Sequence, residues 1–159
     1  MAEYLNLLKS LSNERVRFVI VGGYASMLHG ASIVTNDLDI AIPTNFDNDL
    51  ALMRALEPFR PESLDLNSTE FGVWDERPRL GPVTSLTTTV GHLDIIRILL
   101  GIDDFEGLIH RSMTFDLAEQ QIQVASINDL IKMRKAAGRP KDQPHIKQLL
   151  ALQKLNTKH

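Results

Sequence analysis

The sequence predicts an α+β protein: a mixed β-sheet flanked by helices, with a C-terminal helical segment. Three observations predict it. Short β-rich runs, RFVIV and DLDIAI, alternate with stretches whose apolar residues recur at helical spacing. Two runs rich in threonine, valine and isoleucine, VTSLTTTV and HLDIIRILL, are separated by Gly91. The last quarter reads as helix, break at Pro140, helix.

Taken in order, residues 2–13 place Leu5, Leu8 and Leu11 on one helical face, and RFVIVGG then reads as a short buried strand stopped by glycine. GYASMLHG suits a short helix ended by Gly30, and DLDIAIP a second strand stopped by Pro43. Asp47 to Leu56 reads as helix. From Pro58 to Pro82 prolines and polar residues predict the most irregular region, a candidate flap. VTSLTTTV and HLDIIRILL are strands, and FDLAEQQIQVAS a hairpin turning near Glu119 and Gln120. Ser126 caps a helix that ends at Gly138, with Asp129 three residues after the cap, and a last helix spans Asp142 to Leu155.

At 159 residues, 43% of them apolar, the chain can build one compact core and is too short for two ordinary domains. A single domain over 1–159 is expected, with a sheet core in 1–125 and a basic helical tail in 126–159. The absence of cysteine excludes disulfides, thiolate zinc sites and cysteine nucleophiles. The start, MAEYLNLLKSLSNER, has no basic leader before an apolar core, and no run approaches the roughly 18 apolar residues of a membrane span. A cytoplasmic protein without membrane contact is therefore expected. Net charge is −3, unevenly spread: from Ser126 onward eight Lys or Arg face two acids, a net +6, which leaves −9 for residues 1–125. The acidic part suits a cation and the basic part an anion, although a charged terminal helix is also an ordinary solvated face.

The chemistry concentrates in VGGYASMLHGASIVTNDLDIAI, residues 21 to 42. Residues two apart on a strand share a face, so Asp37 and Asp39 present both carboxylates to one side. Two such charges repel unless a cation separates them. Magnesium suits the pair because it takes oxygen ligands and is usually completed by substrate phosphates. Gly22 and Gly23, at a strand-to-helix turn, fit the phosphate half: without side chains, phosphate can approach the backbone. Asp94 is a third acid, alone among Leu93, Ile95 and Ile96 and expensive without a partner. If its strand lies beside DLDIAI the three acids converge, as two-metal nucleotidyl transfer requires.

GG before a short helix, then TNDLDI, then the strand acid in HLDII resembles the DNA polymerase β-type nucleotidyltransferase superfamily. The tail SINDLIKMRKAAGRPKDQPHIKQL is similar to the end of bacterial AbiEii-like nucleotidyltransferases, some of which are toxins of toxin-antitoxin pairs. The match covers roughly residues 16 to 150. The resemblance implies a nucleotidyltransferase-like sheet, with Gly22 and Gly23 on the triphosphate and Asp37, Asp39 and Asp94 as catalytic, magnesium-binding acids. Arg134, Arg139 and Lys141 are expected to fold back over the site and meet the nucleotide. It implies Mg2+ as cofactor, two ions during catalysis, a nucleoside triphosphate as substrate, RNA or protein as acceptor, and a cognate antitoxin as partner. The family often has lysine before its AAGR-like segment, where this chain has Arg134 followed by Lys135. It often has arginine two residues before the threonine of RxTxDxD, where this chain has Ile33.

Other readings stand beside these. The glycine pair can be a tight turn, Asp37 and Asp39 can cap a helix or pair with arginine, and Asp94 can pair with Arg97 or His92. His29, His92 and His110 share no metal-ligand spacing and read as structural, and Trp74 reads as packing rather than a base platform. At the level of function, the alternatives to a nucleotidyltransferase are an inactive relative that binds nucleotide or a partner protein, allowed by Ile33, and a DxD glycosyltransferase. The upstream glycines and downstream Asp94 argue against the last.

Overall fold

The computed structural model describes residues 1–64 and 80–157. The centre of the expected flap, Trp74 included, lies outside the described residues. A turn of 3-10 helix, Ala2–Tyr4, leads into α1 (Leu5–Asn13), which buries Leu7, Leu8 and Leu11 completely. Each such leucine contributes about 1.5–3 kcal/mol of apolar burial. Strand β1 (Val19–Val21) is buried at all three positions and runs into α2 (Gly22–Leu28). Strand β2 (Leu38–Ala41) buries Leu38 and Ile40, which face opposite to Asp39, as the period of two demands.

Helix α3 (Phe46–Leu56) is capped by Asn45, whose side chain accepts from the Asn48 amide. It packs on α1. A two-residue strand β3 (Glu62–Ser63) precedes β4 (Val83–Thr88) and β5 (Gly91–Ile96), the expected hairpin, with Thr88 facing Gly91 across the turn. The second hairpin, β6 (Met113–Leu117) and β7 (Gln120–Val124), turns at Ala118 and Glu119, both with positive φ. Ser126 caps α5 (Ile127–Ala137) through the Asp129 amide, and Gly138, at φ 64°, ends it. A 3-10 turn, Pro140–Asp142, opens α6 (Gln143–Thr157), which packs on α5.

Helix α4 (Phe105–Arg111) has no counterpart among the sequence-based expectations. Gly107 weakens helix propensity by about 1 kcal/mol, but the Asp104 carboxylate accepts from the Gly107 amide at 2.7 Å, and Phe105 and Leu108 are buried. Capping and burial override the propensity.

The described strands form one sheet in the order β3-β4-β5-β2-β1-β7-β6. It is mixed: β2 runs parallel to β5 and β1 parallel to β7, while the remaining neighbours are antiparallel. The register that decides the site is parallel, Leu38 beside Leu93 and Asp39 beside Asp94. Among the described residues no helix is long and apolar enough to cross a membrane.

Candidate active site

Gly22 has φ +69°, a conformation that disfavours a side chain, and a Cβ added there would lie 2.1 Å from Asp39 Oδ2. At Gly23 it would lie 2.9 Å from the Thr35 side chain. The space left by the glycine pair is therefore filled from within the protein. Asp39 reaches the first turn of α2, and Thr35 packs beside it. That explains more than a tight turn would: β1 pairs antiparallel with β2, Val21 beside Asp39, and only glycine next in the chain leaves room for the carboxylate.

Asp94 stands beside Asp39 on the neighbouring strand. Burial, then the charge of Asp94 and a hydrogen bond shared with it, then the charge of Asp37, push the Asp39 carboxyl up to about 7. The charge of Arg134 acts in the opposite direction. Asp39 therefore keeps its proton to a higher pH than an isolated aspartate does. Asp37 is exposed just before β2, where its amide accepts the company of Thr35 only at 3.4 Å, donating to the threonine hydroxyl. Among the described residues no three His, Asp or Glu side chains are already gathered as a metal cluster. Asp39 and Asp94 form a preassembled pair, and Asp37 influences it through its charge.

Arg97 does not neutralise Asp94. Its guanidinium bonds to Asp49 on α3, in a buried ion pair. His92 is exposed, and so is His110, whereas His29 bonds to the Ala125 carbonyl at 2.8 Å and packs edge-on against Phe115. Neither Asp37 nor Asp39 caps a helix or forms an ion pair among the described residues.

The basic tail is arranged around Asp142, which is 2% exposed. Arg134 donates to Asp142 Oδ1 at 2.9 Å, and Arg139 donates to Oδ2 at 2.7 Å and Oδ1 at 3.3 Å. Burial pushes the Asp142 carboxyl upward, but the hydrogen bonds and charges of Arg139 and Arg134 outweigh it and hold the group below its ordinary range. Arg134 also meets His145 Nδ1 at 3.0 Å, and its buried Nε has no partner among the described residues. Arg134 is the tail residue whose charge reaches Asp39. Arg139 is half exposed and Lys141 exposed; among the described residues no hydrogen bond or ion pair links either to Asp37, Asp39 or Asp94. Ile33, in place of the arginine common in the resembling family, is buried.

Two contributors carried little sequence signal. Asp142 resembles an ordinary acid at a helix start, and only its spacing of three from Arg139 hinted at a pair. Tyr4, which is fully buried, places its hydroxyl 2.7 Å from the carbonyl oxygens of both Asn36 and His92, at the mouths of the two acid-bearing strands. Burial pushes its phenol up to about 12, so it stays a neutral donor.

Solved structures share this arrangement of helices and strands. The solution structure of the antibiotic-resistance factor ANT(2'')-Ia superposes with a TM-score of 0.62 at 13% identity, covering 95% of this chain and 80% of that one. The chain has the nucleotidyltransferase fold. A crystal structure of ANT(2'')-Ia in complex with adenylyl-2''-tobramycin gives 0.59 at 13% identity over 92% of this chain and 83% of that one. An antigenic nucleotidyltransferase-like protein from Paracoccidioides brasiliensis gives 0.54 at 15% identity, over 96% and 75%. No family model and no curated protein matches the chain by sequence.

Proposed function

We propose that the chain is a magnesium-dependent nucleotidyltransferase that moves a nucleoside monophosphate from a triphosphate to an acceptor hydroxyl. The observation that carries this is the parallel register of β2 and β5, which sets Asp39 beside Asp94 against the glycine turn.

The residues fit the metal. Asp39 and Asp94 are hard oxygen donors on adjacent strands, and the charge of Asp94 raises the Asp39 carboxyl, a repulsion that a divalent cation would relieve. Asp37, exposed just before β2 and near enough for its charge to raise Asp39, would add a third carboxylate, with triphosphate oxygens completing the coordination. Two magnesium ions, when bound, would neutralise the triphosphate and make the acceptor hydroxyl more acidic. The chain's own residues do the rest. Asp94, on the strand flanking Asp39, takes the proton of the acceptor hydroxyl as its oxygen bonds to the α-phosphorus. The bond from that phosphorus to the bridging oxygen breaks, and pyrophosphate leaves with the electron pair. The backbone at Gly22 and Gly23, beside Asp39, would face the phosphates. Arg134, whose charge reaches Asp39 and whose buried Nε has no partner among the described residues, supplies positive charge, and Arg139 and Lys141 supply it from the exposed rim.

The acceptor, a hydroxyl of RNA or protein, is what the family resemblance implies, and the basic tail would suit a nucleic acid. The adenylyl-tobramycin bound by ANT(2'')-Ia argues for testing an aminoglycoside beside them. A toxin role with a cognate antitoxin rests on the tail's resemblance to AbiEii-like proteins. The buried Ile33 favours a second reading, an inactive relative that binds nucleotide or a partner protein.

Transfer of label from each α-labelled triphosphate to total RNA, protein and tobramycin separates the two. Asp94→Asn is nearly isosteric and should keep most triphosphate affinity while lowering transfer at least about a hundredfold. Equal transfer by parent and variant would make Asp94 structural. A parent inactive with every pair would favour the binder.

A further inference from the structure

Tyr4 meets every element of the acid site without being an acid. Its ring packs edge-on against Tyr24 of α2 with centroids 5.3 Å apart, two residues from the glycine turn's start. Its hydroxyl lies 2.7 Å from the Asn36 carbonyl, which belongs to the peptide of Asp37, and 2.7 Å from the His92 carbonyl on β5. Both carbonyls precede the first ladder pair, Leu38 beside Leu93, so the phenol closes the open end of the β2 and β5 ladder.

The rest of the molecule makes room for this contact. A Cβ at Gly91 would lie 2.4 Å from the Tyr4 oxygen, and Gly91 has φ +139°, which other residues rarely adopt. Tyr4 itself is fully buried and is anchored by α1, whose Leu7, Leu8 and Leu11 lie in the core. A phenylalanine would fill the same apolar space. What tyrosine adds is one O–H between two carbonyls, donated to one at a time.

The physical need lies in the acids. Asp37, Asp39 and Asp94 carry like charges at the entrance of two adjacent strands, and their repulsion tends to part that entrance. We propose that Tyr4 is a positioning residue that holds the Asp37 peptide against β5 and so sets the spacing of Asp37 from the Asp39 and Asp94 pair. This rests on the reading of the three acids as the cation-holding group. Tyr4 touches neither substrate nor metal and acts only through the backbone that carries Asp37 and Asp94.

Tyr4→Phe keeps the ring and removes the hydroxyl. Ser10→Ala is the matched control: Ser10, also at α1, donates to the Ala55 carbonyl at 2.7 Å away from the acids. Each variant loses one side chain to backbone hydrogen bond of the kind that contributes modestly to stability, and melting checks that both fold. Amide exchange and the magnesium concentration that half-saturates ATP binding are then measured for parent and both variants. Tyr4→Phe should speed exchange at residues 37–39 and 92–94 and raise the half-saturating magnesium concentration about three- to tenfold, the size of one such bond. Ser10→Ala should do neither. Exchange at those amides no faster in Tyr4→Phe than in Ser10→Ala, or an unchanged magnesium requirement, would overturn the proposal. If no triphosphate's binding to the parent depends on magnesium, the reading of the acids fails, and exchange at the strand entrances alone decides whether Tyr4 holds them.

Discussion

Two carboxylates, the partly buried Asp39 and the buried Asp142, show opposite solutions to one problem. Asp142 is surrounded by Arg134 and Arg139 and held below its ordinary range. Asp39 has another carboxylate for its nearest charged neighbour and is pushed up to about 7. The first is a charge the fold has satisfied. The second is a charge without an ion pair among the described residues, and burial and like charge there are destabilising unless something binds. Paired charge in this molecule marks architecture, joining α5 to the start of α6, and unpaired charge marks the site.

The largest effect that would break this contrast is on the satisfied side. Asp142→Ala leaves Arg134 buried without its carboxylate and should destabilise the protein by about 3 kcal/mol, the lower end for breaking a buried pair because Arg139 is half exposed. Urea unfolding measures it. A loss below about 1 kcal/mol would place Asp142 with ordinary surface ion pairs.

Asp39→Asn should do the reverse. Without metal at pH 8 it should stabilise the protein by about 1–3 kcal/mol, less than the full shift would give because the carboxylate is only partly buried. The sign follows from proton binding. The folded state holds the Asp39 proton up to about 7, whereas the unfolded chain releases it near 3.8. Metal-free stability therefore falls as pH rises from about 4 to about 7, and Asp39→Asn should remove that slope. Asp142 works oppositely: its folded value is depressed, so its stabilisation is present above the unfolded value and is lost as pH falls through the folded one. Thermal melts across pH for parent and variant separate the two, and an unaltered slope between pH 4 and 7 in Asp39→Asn would contradict the frustrated pair.

A smaller effect sharpens the comparison at the rim. Arg139→Ala should weaken triphosphate binding about three- to tenfold, with the difference shrinking as salt is added, because an exposed cation acts through a screened field. Unchanged, salt-insensitive affinity would make Arg139 purely a partner of Asp142.

What the sequence revealed follows the same division. Asp39 facing opposite to Leu38 and Ile40, and a lone acid among Leu93, Ile95 and Ile96, were legible because the period of a strand is local, whereas Asp37, expected on the same strand, lies just before β2 begins at Leu38. That Asp94 falls beside Asp39, rather than against Arg97, was not, because register depends on which strands meet. The glycine pair was legible as a turn, but its reason changed: Gly22 makes room for Asp39 before it makes room for phosphate. Helix α4 was hidden by Gly107, and Asp142 by its position at a helix start, where an acid is ordinary. Tyr4 was hidden most completely, since its partners are backbone carbonyls 32 and 88 residues away, which no local pattern records.

The central claim, that Asp39 and Asp94 are poised for a cation brought together with triphosphate, is tested most directly by calorimetry of ATP, GTP, CTP and UTP binding with and without magnesium, for parent and Asp39→Asn. At least one triphosphate should bind the parent tightly only when magnesium is present, and Asp39→Asn should lose that gain, because the cation would bridge the carboxylates to the phosphates. Affinity indifferent to magnesium, or an Asp39→Asn variant that binds as well as the parent, would contradict it.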